Sequence, residues 1–125
     1  RLNYENTADD RKQVIGEKSL YISDKVDFER HVFQTVESSP YVDLPDGVYR
    51  LEARLKNSEG FERFEMYAQC GEKRYTCRVK KASPTWRTIE IERVRVRGGK
   101  VEIGFRAKAV AGAWACIDDV TFVRR

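Results

Sequence analysis

The stretch Val101-Glu102-Ile103-Gly104-Phe105-Arg106-Ala107-Lys108, continued by Ala109 to Phe122, decides the fold. Val101, Ile103, Phe105 and Ala107 alternate with Glu102, Gly104, Arg106 and Lys108. Successive side chains of a strand point to opposite faces, so this period of two marks a strand with one buried face. Ala109-Val110-Ala111-Gly112 reads as a loop, and Trp114 to Phe122 as the returning strand. Ala115 and Ile117 share a face there, which turns Trp114 and Cys116 the other way. An indole on the non-core face beside Arg106 and Lys108 is what a flat ligand such as a sugar ring needs.

The same pattern extends outward from this stretch. Gly98-Gly99 reads as the hairpin turn that leads into it. Before that turn, Trp86 opens a long strand with Ile89 and Ile91, then Val94 and Val96, facing the core; the change of phase between Ile91 and Val94 predicts a bulge. Tyr49, Leu51, Ala53 and Leu55 alternate with Arg50, Glu52, Arg54 and Lys56. Phe64, Met66 and Ala68 alternate with Glu65, Tyr67 and Gln69, and Tyr75 to Val79 follows a turn at Cys70-Gly71-Glu72-Lys73. Upstream, Ser19 to Ser23 is a short strand, Phe28 to Val36 alternates imperfectly, and Pro45-Asp46-Gly47 is a turn. Residues 1–18 are polar and aperiodic and read as loop and turn. About nine strands, turns every ~8–12 residues and no helix predict an all-β protein, an antiparallel β-sandwich spanning 1–125 as one domain.

With 125 residues the chain can bury a real core. Lys and Arg number 24 against 20 Asp and Glu, and the two signs are interleaved, as in Glu90-Ile91-Glu92-Arg93. That pattern describes a solvated surface rather than a polyanion-binding stripe, and no nucleic-acid partner is expected. There is no apolar run long enough to span a membrane as a helix. The chain starts Arg-Leu-Asn-Tyr-Glu-Asn, without Met, as expected of a domain excised from a longer protein. Cys70, Cys77 and Cys116 lack zinc-ligand spacing and His31 is the single histidine, so no zinc site is expected. Cys70 and Cys77 could face each other across a hairpin; reduced, partly buried thiols are the default.

Arg54, Lys56, Tyr67, Gln69, Arg106, Lys108 and Trp114 all lie at outward positions. If their strands are neighbours in one sheet, they form one face. Aromatic rings there would stack on the C–H face of a pyranose, and Arg, Lys and Gln would hydrogen-bond its hydroxyls. The competing reading is that Trp114 and Tyr67 cap a sandwich edge among solvated charges. Tyr21, opposite in facing to Leu20 and Ile22, is a further candidate, whereas Trp86 at a strand start reads as edge packing. Asp118-Asp119 is a paired-carboxylate feature within a strand. Adjacent strand residues point to opposite faces, so the two cannot flank one scissile bond. They are candidate ligands for a structural calcium ion, with other oxygens from the acidic N-terminal segment, or else they mark a bulge. No nucleophile–base constellation and no phosphate-cradling loop is present, so no enzymatic activity is expected.

Phe33-Gln34-Thr35-Val36, Leu44-Pro45-Asp46-Gly47-Val48-Tyr49-Arg50-Leu51, Met66-Tyr67-Ala68, Trp86, Val101-Glu102-Ile103-Gly104-Phe105 and Trp114 through Asp118-Asp119-Val120-Thr121-Phe122 carry a resemblance. They resemble the framework of galactose-binding-like jelly-roll modules, and most of all carbohydrate-binding module family 61, which accompanies endo-β-1,4-galactanases. The resemblance implies a non-catalytic, extracellular module that binds a galactose-containing plant-wall polysaccharide, β-1,4-galactan, and holds a catalytic domain in cis on it. It also implies a structural Ca2+. It places Tyr67 and Gln69 on a strand that ends in the binding groove, and Lys108 and Trp114 beside the loop before the last strand. The first strand of such modules, which often supplies calcium oxygens, is expected before Arg1. The other reading left open is an interdomain β-sandwich module that binds no sugar.

Overall fold

A computed structural model of the protein describes residues 4–6, 12–15, 20–40 and 43–125. Its strands are β1 (Tyr4–Asn6), β2 (Lys12–Ile15), β3 (Leu20–Ser23), β4 (Phe28–Glu37), β5 (Gly47–Asn57), β6 (Phe61–Cys70), β7 (Lys73–Arg78), β8 (Ser83–Val96), β9 (Lys100–Ala109) and β10 (Trp114–Arg124). They form two antiparallel sheets. One has the order β4-β9-β6-β7. The other has the order β1-β2-β10-β5-β8, with β3 also paired to β10.

The alternation along β9 is what builds the interior. This strand buries Val101, Ile103, Phe105, Ala107 and Ala109. β6 adds Phe64, Met66 and Ala68, and β4 adds Phe28, Val32 and Val36. From the other sheet come Tyr49, Leu51, Ala53 and Leu55 of β5 and Ala115, Ile117, Val120 and Phe122 of β10. Each large side chain buried this way contributes roughly 1.5–3 kcal/mol. The rings of Tyr49 and Phe122 stack at 4.7 Å between centroids. The Tyr49 hydroxyl, which burial keeps protonated, donates to the Pro45 carbonyl at 2.8 Å and ties down the Pro-Asp-Gly turn.

Four register shifts interrupt the strand ladders and re-aim side chains beside them, one of them between Leu55 and Asn57 of β5 against β8. The phase change in β8 is one: Tyr49 lies opposite Val94 but Leu51 opposite Ile91. β10 bulges between Asp118 and Thr121, where Asp119 has φ of 49°. β6 bulges between Phe61 and Arg63. Gly98 and Gly99 both have positive φ, as a tight hairpin requires.

The N-terminal reading needs correction. The stretch assigned to loop and turn contains β1 and β2, and β2 pairs with β10 from Val120 to Val123. β3 takes the same edge of β10 from Trp114 to Ile117. The signal was faint because β1 and β2 are three and four residues long, and the strand they close on is at the far end of the chain. The expected loop over residues 7–11 lies outside the described residues. All three cysteines are free. Cys77 lies opposite Met66 and Cys70 opposite Lys73, so Cys70 and Cys77 do not face each other.

Candidate functional site

The outer face of the β4-β9-β6-β7 sheet carries a connected polar cluster. Antiparallel register sets it in rows across the strands. His31 lies opposite Arg106, and Arg106 opposite Glu65. Phe33 lies opposite Gly104, and Gly104 opposite Tyr67. Thr35 lies opposite Glu102, Glu102 opposite Gln69, and Gln69 opposite Arg74.

Tyr67 is the centre of the cluster. It points away from the core yet is fully buried. Its ring crosses β9 over Gly104, where an added Cβ would come within 2.8 Å of the Tyr67 ring and hydroxyl. The Arg74 guanidinium covers the ring at 4.3 Å from its centroid. The hydroxyl donates to the Glu102 carboxylate and lies 2.6 Å from His31 Nε2. Burial, then the hydrogen bond to Glu102, holds the phenol protonated far above its usual range. Its one proton goes to Glu102, so His31 Nε2 is the donor toward it. Desolvation and then the Arg106 charge push the His31 pKa down, which keeps the imidazole neutral at pH 7. The result is a directed chain: His31 N–H to Tyr67 O–H to Glu102 carboxylate. The carboxylate keeps further lone pairs for ligand hydroxyls.

Around this chain stand an apolar platform and fixed donors. Phe33 is 41% exposed and stacks on His31 at 4.8 Å. Gln69 accepts from Arg74 Nε at 3.0 Å and donates to the Gly71 carbonyl at 3.1 Å, so its amide is oriented. Arg106 Nε is buried without a hydrogen-bond partner. Toward the β6 bulge the face sinks into a depression of about 290 Å³ lined by Glu29, His31, Arg63, Arg106 and Lys108. Lys108 meets Glu62 at 3.5 Å and Glu29 at 3.8 Å.

The residues read from the sequence do not share one face. Tyr67, Gln69, Arg106 and Lys108 lie on this one. Trp114, Arg54 and Tyr21, with Lys56, lie on the outer face of the other sheet, because β5 and β10 pair with each other and not with β6 or β9. On that face Tyr21 and Lys56 flank Cys116. Trp86 joins them: Lys56 Nζ stands 4.9 Å, and Arg54 Cζ 5.4 Å, from its ring centroid. Tyr67 also differs in role, since a fully buried ring offers no surface for stacking. His31, Phe33, Arg74 and Glu102 were missed. Their one legible mark was parity, since His31, Phe33 and Thr35 keep one phase along β4, but Arg30 and Gln34 blur the core phase between Phe28, Val32 and Val36.

Asp118 and Asp119 sit at the β10 bulge. Asp118 accepts the Asp119 amide at 2.8 Å, and Asp119 meets Arg54 at 3.7 Å. Among the described residues no three His, Cys, Asp or Glu side chains gather to hold a metal. A calcium ion at this pair would need its remaining oxygens from main-chain carbonyls or from outside the described residues.

Neither a scan against protein-family models nor a search of curated proteins finds a match to this sequence. Solved structures do match. The chain superposes over its whole length on 88% of TmCBM61 in complex with β-1,4-galactotriose, with a TM-score of 0.75 and 22% identity. The chain shares the β-sandwich fold of that module. A family 16 carbohydrate-binding module matches over 97% of this chain and 90% of its own, with a TM-score of 0.59 and 13% identity. The Clostridium thermocellum xylanase 10B, whose CBM22-1 and GH10 modules are complexed with xylohexaose, matches 99% of this chain with 28% of its own. The TM-score there is 0.51 at 13% identity. The expected sandwich and its likeness to the family 61 module are thus both found at the level of fold.

Proposed function

We propose that this chain is a non-catalytic carbohydrate-binding module whose glycan site is the outer face of the β4-β9-β6-β7 sheet. The observation that carries this reading is the His31–Tyr67–Glu102 chain: a polar network on the outside of a sheet, beside the exposed ring of Phe33. A folding core has no use for such a network, while a sugar needs both an apolar platform and acceptors already aimed. In this reading Phe33 receives the C–H face of a pyranose. Glu102 accepts from ring hydroxyls, and Arg106 and Arg74 donate to them. The likeness to the galactotriose-bound module supports β-1,4-galactan as the polymer. The match to a chain that carries CBM22-1 and GH10 modules supports a role in cis to a glycoside hydrolase, and an extracellular location is proposed with it. Affinity is expected in the micromolar to millimolar range, roughly 4–8 kcal/mol, because an open face buries little ligand and each hydrogen bond replaces one to water.

A second reading has an observation of its own. Tyr21 is 63% exposed on the opposite face, with Trp86 and Trp114 nearby, so that face could instead pack on a catalytic domain. Affinity gel electrophoresis against β-1,4-galactan, arabinogalactan, xylan, mannan and β-glucan separates the two. Wild type, Glu102→Gln and Trp114→Ala are run side by side. Retardation by galactan that is lost in Glu102→Gln and kept in Trp114→Ala is the expected result. Loss in Trp114→Ala alone moves the site to the other sheet. Retardation by a different polymer keeps the module and discards galactan, and a wild type slowed by no polymer leaves the interdomain reading.

A further inference from the structure

The depression at the β6 end of the proposed glycan face has an unbalanced charge. Its lining acid, Glu29, and the adjacent Glu62 both reach Lys108 on the same wall, which leaves its arginines without acidic partners there. Arg63 and Arg106 line it with no carboxylate within 4.0 Å of either guanidinium among the described residues, and Arg106 Nε is buried without any hydrogen-bond partner. Glu65 is the cross-strand neighbour of Arg106 but does not reach it. The β6 bulge aims Arg63 to this side, opposite Lys108, while Phe64 turns inward. Two guanidinium groups with no carboxylate beside them leave a positive charge to be met, and a planar carboxylate is the acceptor whose shape matches the fork.

We infer that this depression is an acidic-sugar subsite, in which Arg106 and Arg63 hold the carboxylate of a uronic acid residue in the bound glycan. The inference rests on the glycan face proposed above and adds a ligand class to it: a chain of neutral sugars bearing a uronate, not a wholly neutral one. Arg106, partly exposed, and Arg63, exposed, supply the positive charge, and His31 lines the side toward Tyr67. A sulfate ester would offer the same charge with tetrahedral geometry, so the test includes both anions.

Isothermal titration calorimetry is run with β-1,4-galactotetraose, with a tetrasaccharide of the same length carrying one galacturonate, and with one carrying a sulfate ester. Each is titrated into wild type, Arg63→Gln and Arg63→Lys at low and high salt. Wild type is expected to bind the uronate oligomer roughly ten-fold tighter than the neutral one, an advantage that shrinks with salt. Arg63→Gln should lose most of that advantage and keep its affinity for galactotetraose, while Arg63→Lys retains part of it. Arg63 is exposed, so both variants are expected to fold, and their thermal melts are compared with wild type to check it. Equal affinity for neutral and uronate oligomers overturns the inference and leaves the glycan face intact. So does an advantage that survives both salt and Arg63→Gln. Tighter binding of the sulfate ester overturns the carboxylate assignment. Binding of the uronate oligomer without binding of galactotetraose supports the subsite and removes galactan as the polymer. Binding of none of the three overturns both readings.

Discussion

Gly104 is the residue on which the proposed site depends most. A Cβ there would lie 2.7 Å from the Val32 carbonyl and 2.8 Å from Tyr67, and the first of these is backbone that cannot swing aside. Gly104→Ala is therefore expected to expel the Tyr67 ring from its place across β9 and to strain the β4–β9 pairing. The cost should be about 2–4 kcal/mol, read as a lower denaturation midpoint with altered near-ultraviolet tyrosine dichroism. A variant as stable as wild type with an unchanged tyrosine signal would show that the ring does not lie over this glycine. In the sequence Gly104 is only the small member of an alternating strand. The close approach that makes it necessary comes from Tyr67, 37 positions earlier, and no local pattern records that crossing. The same holds for Glu102, whose outward position was legible and whose partner was not.

At the scale of elements, the strands were legible wherever one face is buried and the other wet. β5 and β9 alternate cleanly, β6 and β10 alternate outside their bulges, and even the bulge in β8 showed as a slip of phase between Ile91 and Val94. Strand order was not legible, because period-two patterning says which way a side chain faces but not which strand lies beside it. That is why Trp114 and Arg106 could be read as neighbours when they belong to opposite sheets. The β10 bulge offers a sharp test of local conformation. Asp119 holds φ of 49°, a region where Asp and Asn are tolerated and β-branched residues are strained. Asp119→Asn should leave stability within about 0.5 kcal/mol, since the exposed pair with Arg54 contributes little. Asp119→Val should cost about 1–3 kcal/mol. Urea denaturation of the two variants measures the difference, and equal loss in both would place the effect in the ion pair instead of the backbone.

Over the whole molecule, many of the pairings join distant parts of the chain. β2 and β3 close on β10, β4 closes on β9, and β5 lies between β8 and β10. Loop closure then precedes most of the stabilising contact, so folding is expected on the millisecond-to-second scale typical of such sandwiches. Stopped-flow refolding followed by tryptophan fluorescence measures it; relaxation in microseconds would mean that local hairpins carry the transition state.

The arrangement of the proposed glycan face also bears on how binding would divide between heat and disorder. Its polar groups stand on β4, β6, β7 and β9, and β9 is hydrogen-bonded to a neighbour on both sides. Tyr67, Gln69 and Glu102 are already held by partners before any sugar arrives. Little protein freedom is left to lose on association, so the unfavourable entropy falls mainly on the glycosidic torsions of the ligand. An oligosaccharide that already holds the required curvature in solution would therefore be favoured over an equally long, floppier one that offers the same hydroxyls. Discrimination between polymers would then come from the stiffness of the chain as much as from the identity of its sugars.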